Sequence, residues 1–126
     1  MNVSTAQAPF LVEGVLTGLA AVFGILVGKG GKPYGKVTLL IHLFFYVWLT
    51  VGFGFIVYGV SIASATKIVW ILVAVMGVTI VIQLVTAVLM LNSEKVGKPL
   101  PLVHIVSAVL LGLAAIGAFI ITGLRS

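Results

Sequence analysis

An uncharged stretch at residues 37–60 most constrains what this chain can fold into. Its sequence, VTLLIHLFFYVWLTVGFGFIVYGV, contains no Asp, Glu, Lys or Arg over 24 residues. Because a helix rises about 1.5 Å per residue, the stretch is long enough to cross a hydrocarbon layer about 30 Å thick. It therefore predicts a transmembrane helix.

The whole chain has the same apolar character. It is 126 residues long, 62% hydrophobic and only 7% charged, with a mean hydropathy of +1.38. A soluble domain carries about 25% charged residues, so the composition predicts an integral membrane protein. No cysteine is present, which excludes disulfides, thiolate metal sites and thiol redox chemistry. The net charge of +5 comes from loop residues that set topology and meet anionic head groups, and it does not indicate nucleic-acid binding.

Four apolar spans can be drawn, at residues 9–28, 37–60, 68–91 and 101–124. Each is at least 20 residues long, and the short loops predict that neighbouring helices are antiparallel. The expected fold is an all-α membrane protein, a four-helix transmembrane bundle in up-down-up-down order that forms one domain. The N-terminal MNVSTAQAP lacks the basic region of a cleavable signal peptide, so we expect the first span to direct targeting.

The lysines predict how the bundle is oriented. The loops at 28–36 and 92–100 hold five lysines, whereas the opposite side holds only Lys67 and Arg125. Since cytoplasmic loops carry the excess of basic residues, the lysine-rich loops should be cytoplasmic and both termini outside. The expected location is a prokaryotic inner or plasma membrane, crossed several times.

The two halves of the chain share a loop tripeptide. Gly-Lys-Pro occurs at 31–33 and again at 97–99, 66 residues later, which predicts a two-plus-two helix repeat. The alternative is chance, because this tripeptide is common in loops. Small residues spaced four apart, such as Gly14 and Gly18, favour close packing within the bundle, with a subunit interface as the alternative.

The only two histidines are the main candidate functional residues. His42 lies about five residues into the second span and His104 about three residues into the fourth, and both helices run the same way. The imidazoles should therefore lie at nearly equal depth, where a polar side chain is costly and marks a functional candidate. Two neutral imidazoles on diagonal helices suit axial ligation of a b-type haem iron, with Lys36 and Lys98 positioned to pair with the propionates. The alternative is a pair of interfacial histidines bonded to loop carbonyls.

In both helices the histidine is followed by small residues: His42 by Gly52-Phe53 and Gly59-Val60, and His104 by Ala108 and Gly112. This pattern, confined to the second and fourth spans, resembles the core helices of four-helix b-haem membrane cytochromes of the cytochrome b561 type. The resemblance implies haem b and electron transfer, linked to a quinone or to other subunits of a larger complex. That family often has four histidines and two haems. This chain has two histidines, which allow one haem, near the cytoplasmic side.

Two other functional classes remain open from the sequence. One is a haem-free accessory subunit that packs through its small-residue faces against a larger membrane complex. The other is a small cation channel, because TVGFG at 50–54 matches the carbonyl-lined filter of potassium channels. Phe55 and Ile56 follow it, however, where that family usually has an acidic residue, and the lysine distribution opposes the channel topology.

Two further polar residues lie within the spans. Glu13 is a candidate for a proton path or a quinone pocket, with a hydrated carboxyl near the outer surface as the alternative. Gln83 is a candidate partner of a haem ligand or propionate, with a helix-to-helix hydrogen bond as the alternative. No hydrolytic triad, phosphate-binding loop or carboxylate pair is present. We therefore expect an electron-transfer or accessory subunit rather than a stand-alone enzyme, with the bilayer and other membrane subunits or a second copy as partners.

Overall fold

Four helices make up nearly all of the computed structural model, which describes residues 6–30, 32–62, 65–93 and 97–124. They are α1 (Ala8–Gly30), α2 (Lys36–Ile62), α3 (Lys67–Asn92) and α4 (Pro99–Leu124), and the described residues contain no strand. Each helix is long and apolar enough to cross a membrane. The prediction of a four-helix transmembrane bundle is confirmed, with helices that exceed the predicted spans by only one or two residues at most ends.

The helices are arranged so that α2 and α4 face each other across the bundle. Helix α1 packs closely on α2 and α4, and α3 packs closely on α4, whereas α2 and α3 touch least. The remaining pairs, α1 with α3 and α2 with α4, are diagonal. The two helices that carry the histidines are thus separated by the core of the bundle.

The two ends of the bundle differ in charge. The lysine end is formed by the connections that follow α1 and α3, and it carries Lys29, Lys32, Lys36 and Lys98. There the Lys32 ammonium donates hydrogen bonds to the main-chain oxygens of Leu91, at 3.3 Å, and Ser93. A cation suits the carbonyl end of a helix, so Lys32 ties the first loop to the end of α3. We call the opposite end, where α1 and α3 begin, the terminal end.

The core is narrow and the outer surface is apolar. Leu49, Ile56, Met76 and Leu111 are among the fully buried side chains. Outward-facing residues of α2 are large hydrophobics as well, namely Leu40, Phe44, Val47, Trp48, Val51, Phe55, Tyr58 and Ile62. Such a surface suits lipid tails, and small residues at the helix contacts then allow the backbones to approach closely.

The buried faces of the two halves correspond position by position. Buried residues of α1 recur in α3 66 residues later, as the pairs Phe10 and Met76, Glu13 and Thr79, Thr17 and Gln83, and Ala20 and Thr86. In α2 and α4 the matching interval is 62 residues, as the pairs His42 and His104, Leu49 and Leu111, and Ile56 and Ala118. The intervals differ because α3 ends one helical turn sooner after its matched residues than α1 does. The predicted repeat therefore has a structural counterpart in burial, whereas the common origin of the halves stays a prediction.

Candidate cofactor site in the bundle core

The two histidines meet inside the bundle. His42 on α2 and His104 on α4 have ring centres 6.3 Å apart, with ring planes inclined by 62°. Both side chains are half-buried. The structure thus brings together the two residues that the sequence analysis placed at equal depth.

His42 is held against α1 by its Nδ1 atom. Nδ1 lies 2.7 Å from the main-chain oxygen of Ala20. Because a carbonyl oxygen only accepts hydrogen bonds, Nδ1 carries the proton and donates it. In the neutral ring, Nε2 then has a lone pair available for a ligand.

The close approach of His42 to α1 depends on a glycine. A Cβ atom placed on Gly24 would lie 2.9 Å from Cε1 of His42 and 3.2 Å from its Nδ1. Side chains do not tolerate such separations, so any larger residue at 24 would displace the imidazole. The missing side chain of Gly24 therefore forms the cradle in which the ring lies.

His104 is held in the same way against α3. Its Nδ1 atom lies 2.7 Å from Oγ1 of Thr86. The Thr86 hydroxyl donates its own hydrogen to the main-chain oxygens of Ile82, at 2.8 Å, and Gln83, at 3.1 Å. Its oxygen is then the acceptor for Nδ1 of His104, and Nε2 of this ring is also left with a lone pair.

These hydrogen bonds connect all four helices through the histidine pair. Ala20 and Thr86 occupy matched positions on α1 and α3, so each imidazole is fixed from outside the pair by an equivalent residue. Histidines that ligate metals almost always donate their other ring N–H to such an acceptor, which fixes the tautomer and the ring orientation. The arrangement can present two neutral nitrogen ligands from opposite sides of the bundle.

The predicted propionate partners lie at the lysine end in matched positions. Lys36 and Lys98 each precede a histidine by six residues, or about 9 Å along a helix. Both are exposed. Lys32, by contrast, is occupied by the end of α3, and its ammonium lies 5.4 Å from the ring centre of Tyr34.

Aromatic residues surround the pair one turn further into the bundle. Phe45 stacks on Phe23 of α1 with ring centres 5.7 Å apart. The Tyr46 hydroxyl donates a hydrogen bond of 2.7 Å to the main-chain oxygen of Ile80, which links α2 to α3. The histidine pair is therefore bordered on its inner side by apolar rings.

The other sequence candidates lie apart from the pair or are helical. Residues 50–54, the filter-like TVGFG, form a continuous part of α2, and the Thr50 hydroxyl bonds the Tyr46 oxygen at 2.8 Å. Carbonyls within a helix are bonded along the helix and do not line a pore. Gln83 is buried one turn before Thr86. Glu13 is completely buried, which differs from the hydrated alternative considered for it.

Sequence reasoning did not single out Ala20, Gly24 or Thr86 as partners of the histidines. A signal for α1 does exist, since Ala20 and Gly24 are small residues four positions apart and so mark a face that another group can approach. Comparison of the chain with protein-family models, curated proteins and solved structures gave no match. The functional interpretation therefore depends on the geometry of the bundle.

Proposed function

We propose that the bundle binds one b-type haem between His42 and His104 and acts as an electron-carrying subunit of a larger membrane assembly. The observation that carries the proposal is the meeting of two imidazoles on diagonal helices, each with Nδ1 bonded on its outer side. The chain crosses the membrane four times and has almost no mass outside it, so its electron donor and acceptor would be other membrane subunits or a quinone.

The distance between the rings fits two ligands on one metal. An imidazole nitrogen binds a metal at about 2.0 Å, so two rings on opposite sides of one ion would have centres about 6 Å apart. The observed separation is 6.3 Å. The spacing suits a shared iron ligated from both faces.

The donor set also fits haem better than a bare metal ion. The whole chain offers two histidines, two carboxyl side chains and no cysteine. One of the carboxyls, Glu13, contacts Gly52, ten residues from His42 on α2. A zinc site needs three or four protein ligands, whereas haem iron receives four nitrogens from the macrocycle and needs only two axial ones.

The bundle supplies a cradle and an opening for a flat apolar cofactor. Gly24 makes room for His42, and the loosely packed side between α2 and α3 is where the edge of a macrocycle would have most space. Lys36 and Lys98 can reach the propionates, since charge-assisted pairs with carboxylates are strong. Tyr46 bridges α2 and α3 beyond this level and would bound the cofactor on the inner side.

The chain's own residues then have defined roles. His42 and His104 hold the iron, and the Ala20 carbonyl and the Thr86 hydroxyl keep their rings in the ligating tautomer. The apolar core excludes water from the ring. When bound, the haem supplies reversible one-electron transfer. With the lysine end placed in the cytoplasm by the excess of basic residues, the haem would lie in the cytoplasmic half of the membrane.

A reduced-minus-oxidised absorption spectrum of detergent-purified protein from a haem-replete host tests the proposal. We expect a b-type spectrum from the wild type and none from His42→Ala or His104→Ala. Adding free imidazole to His104→Gly should restore part of the spectrum, which separates loss of a ligand from loss of the fold. A colourless wild type would overturn the proposal.

The second candidate is a haem-free accessory subunit, and one observation favours it. The histidine pair already joins all four helices through its hydrogen bonds, so it can serve as a structural tie alone. In that case the wild type would be colourless, and His42→Ala would still lower the stability of the bundle.

A further inference from the structure

Glu13 is the one buried ionisable group of the described residues that the proposed haem site does not use. Its side chain is 0% exposed, and neither carboxyl oxygen has a hydrogen-bond partner among the described residues. It lies five residues from the start of α1, or about 7.5 Å along the helix from the terminal end. The histidine pair lies beyond the middle of the bundle, toward the lysine end.

The chain makes room for this carboxyl by a glycine on the neighbouring helix. A Cβ atom placed on Gly52 of α2 would lie 2.9 Å from Oε2 of Glu13. The oxygen therefore rests against the bare backbone of α2. The Thr17 hydroxyl one turn further donates to the main-chain oxygen of Glu13, at 2.8 Å, and so is not a donor to the carboxyl.

An ionised carboxylate cannot remain alone in such a place. Transferring an unpaired charge into an apolar interior costs far more than a bundle of this size can supply, so the group must be neutralised. Either a proton or a bound metal cation could do this. Calcium takes six to eight oxygen ligands and magnesium a full octahedron. Around Glu13 the structure offers its own two oxygens and the committed Thr17 hydroxyl, which is too few.

No other ionisable group faces the carboxyl from the packed helices. On α2 its neighbour is Gly52. The described charged side chains lie at the helix ends: Lys67 at the terminal end and Lys29, Lys32, Lys36 and Lys98 at the lysine end. The titratable residues within the helices are Tyr46, His42 and His104, toward the lysine end, and Tyr58, which is exposed on α2. None of these compensates the charge of Glu13, because neither oxygen has a partner.

We infer that Glu13 is a proton-binding site within the membrane, which holds a proton on its carboxyl group inside the bundle and exchanges it with water. This inference does not depend on haem binding. It gives the protein a second buried site, whose ligand is a proton.

Infrared spectroscopy of the full-length protein in liposomes at neutral pH tests this inference with unusual clarity. The chain has only two side-chain carboxyls, Glu13 and Glu94, and Glu94 lies outside the described residues. We expect the carbonyl stretching band of a protonated carboxyl in the wild type and in Glu94→Gln, and its loss in Glu13→Gln. Transfer into heavy water should shift the band, because a bound proton that exchanges is replaced by a deuteron.

A pair of glycine variants keeps the test valid even if Glu13→Gln fails to fold. Gly52→Ala should move the band to a different frequency, because the new methyl group would press on Oε2. Gly54→Ala is the matched control, because a Cβ there has nothing within 4 Å, and it should leave the band unchanged.

Three results would overturn the inference. The first is a wild-type spectrum with no more protonated carboxyl than Glu13→Gln shows, which would mean an ionised and hydrated group. The second is a band that disappears when sodium or calcium ions are added at constant pH, which would assign the site to a metal cation. The third is a band that does not shift in heavy water, which would mean a proton sealed from exchange.

Discussion

The histidine pair and Glu13 are both buried polar groups of one membrane bundle, but they are satisfied in opposite ways. Each imidazole has one nitrogen bonded to a neighbouring helix, at 2.7 Å in both cases. Glu13 has no partner for either oxygen among the described residues. One site is oriented by hydrogen bonds, whereas the other is only enclosed.

The difference separates two kinds of ligand. A group whose outer nitrogen is fixed and whose inner nitrogen is bare is prepared for a large ligand that binds at one point from each side. A carboxyl with no donor nearby is prepared for the smallest ligand, a proton, which needs no coordination shell. The glycines at the two sites follow the same division, since Gly24 admits a ring and Gly52 admits one oxygen atom.

The largest expected effect is that of Gly24→Ala at the histidine pair. The new methyl group would overlap Cε1 of His42, and overpacking of this kind costs about 1–3 kcal/mol. We expect loss of most of the bound haem, measured as the ratio of haem to protein after purification. Gly28→Ala is the control, because a Cβ there meets nothing within 4 Å. If both variants retained haem equally, His42 would not lie against α1.

Glu13→Leu should act on stability in the opposite direction. A buried polar group without a partner costs about 1–3 kcal/mol, so replacing the carboxyl by a hydrocarbon of similar size should stabilise the bundle by up to this amount. Unfolding in mixed detergent micelles with increasing dodecyl sulfate measures it. Thr17→Val, which removes a hydroxyl bonded only within its own helix, should change stability far less. Destabilisation by Glu13→Leu would show that the carboxyl has a partner.

These two sites also mark what the sequence could and could not predict. Runs of about 20 uncharged residues predicted the four helices, because a bilayer imposes that length. Counting residues along antiparallel helices predicted equal depth for His42 and His104, because each residue adds a fixed rise. Depth along an axis is therefore readable from the sequence.

Rotation about the helix axis is not readable in the same way. Here hydrophobic residues surround every helix, so their periodicity does not mark the face that is buried. That is why Ala20, Gly24 and Thr86 were not assigned as neighbours of the histidines, and why Glu13 could be taken for a hydrated residue. Only packing between helices decides which polar group meets a partner and which does not.

Thr86→Val should have the next smaller effect and would sharpen the role of the outer hydrogen bonds. It removes the acceptor for Nδ1 of His104 but keeps the shape of the side chain. Loss of such an orienting partner lowers metal affinity by about tenfold to a hundredfold, and we expect the lower value because the ring remains packed. Haem titration of the purified apoprotein measures the affinity. Thr50→Val, which alters an exposed threonine bonded only to its own helix, should leave it unchanged.

The smallest expected effect concerns the link between α2 and α3, the least closely packed pair of neighbouring helices. Tyr46→Phe removes the hydroxyl that bonds the Ile80 carbonyl but keeps the ring. Hydrogen bonds between transmembrane helices contribute about 0.6 kcal/mol on average, so the loss of stability should be of that size. Tyr58→Phe is the control, since that side chain is exposed on the same helix. A loss several times larger for Tyr46→Phe would mean that this bond, rather than apolar packing, holds α2 against α3. The opening on that side of the histidine pair would then be a fixed feature of the bundle.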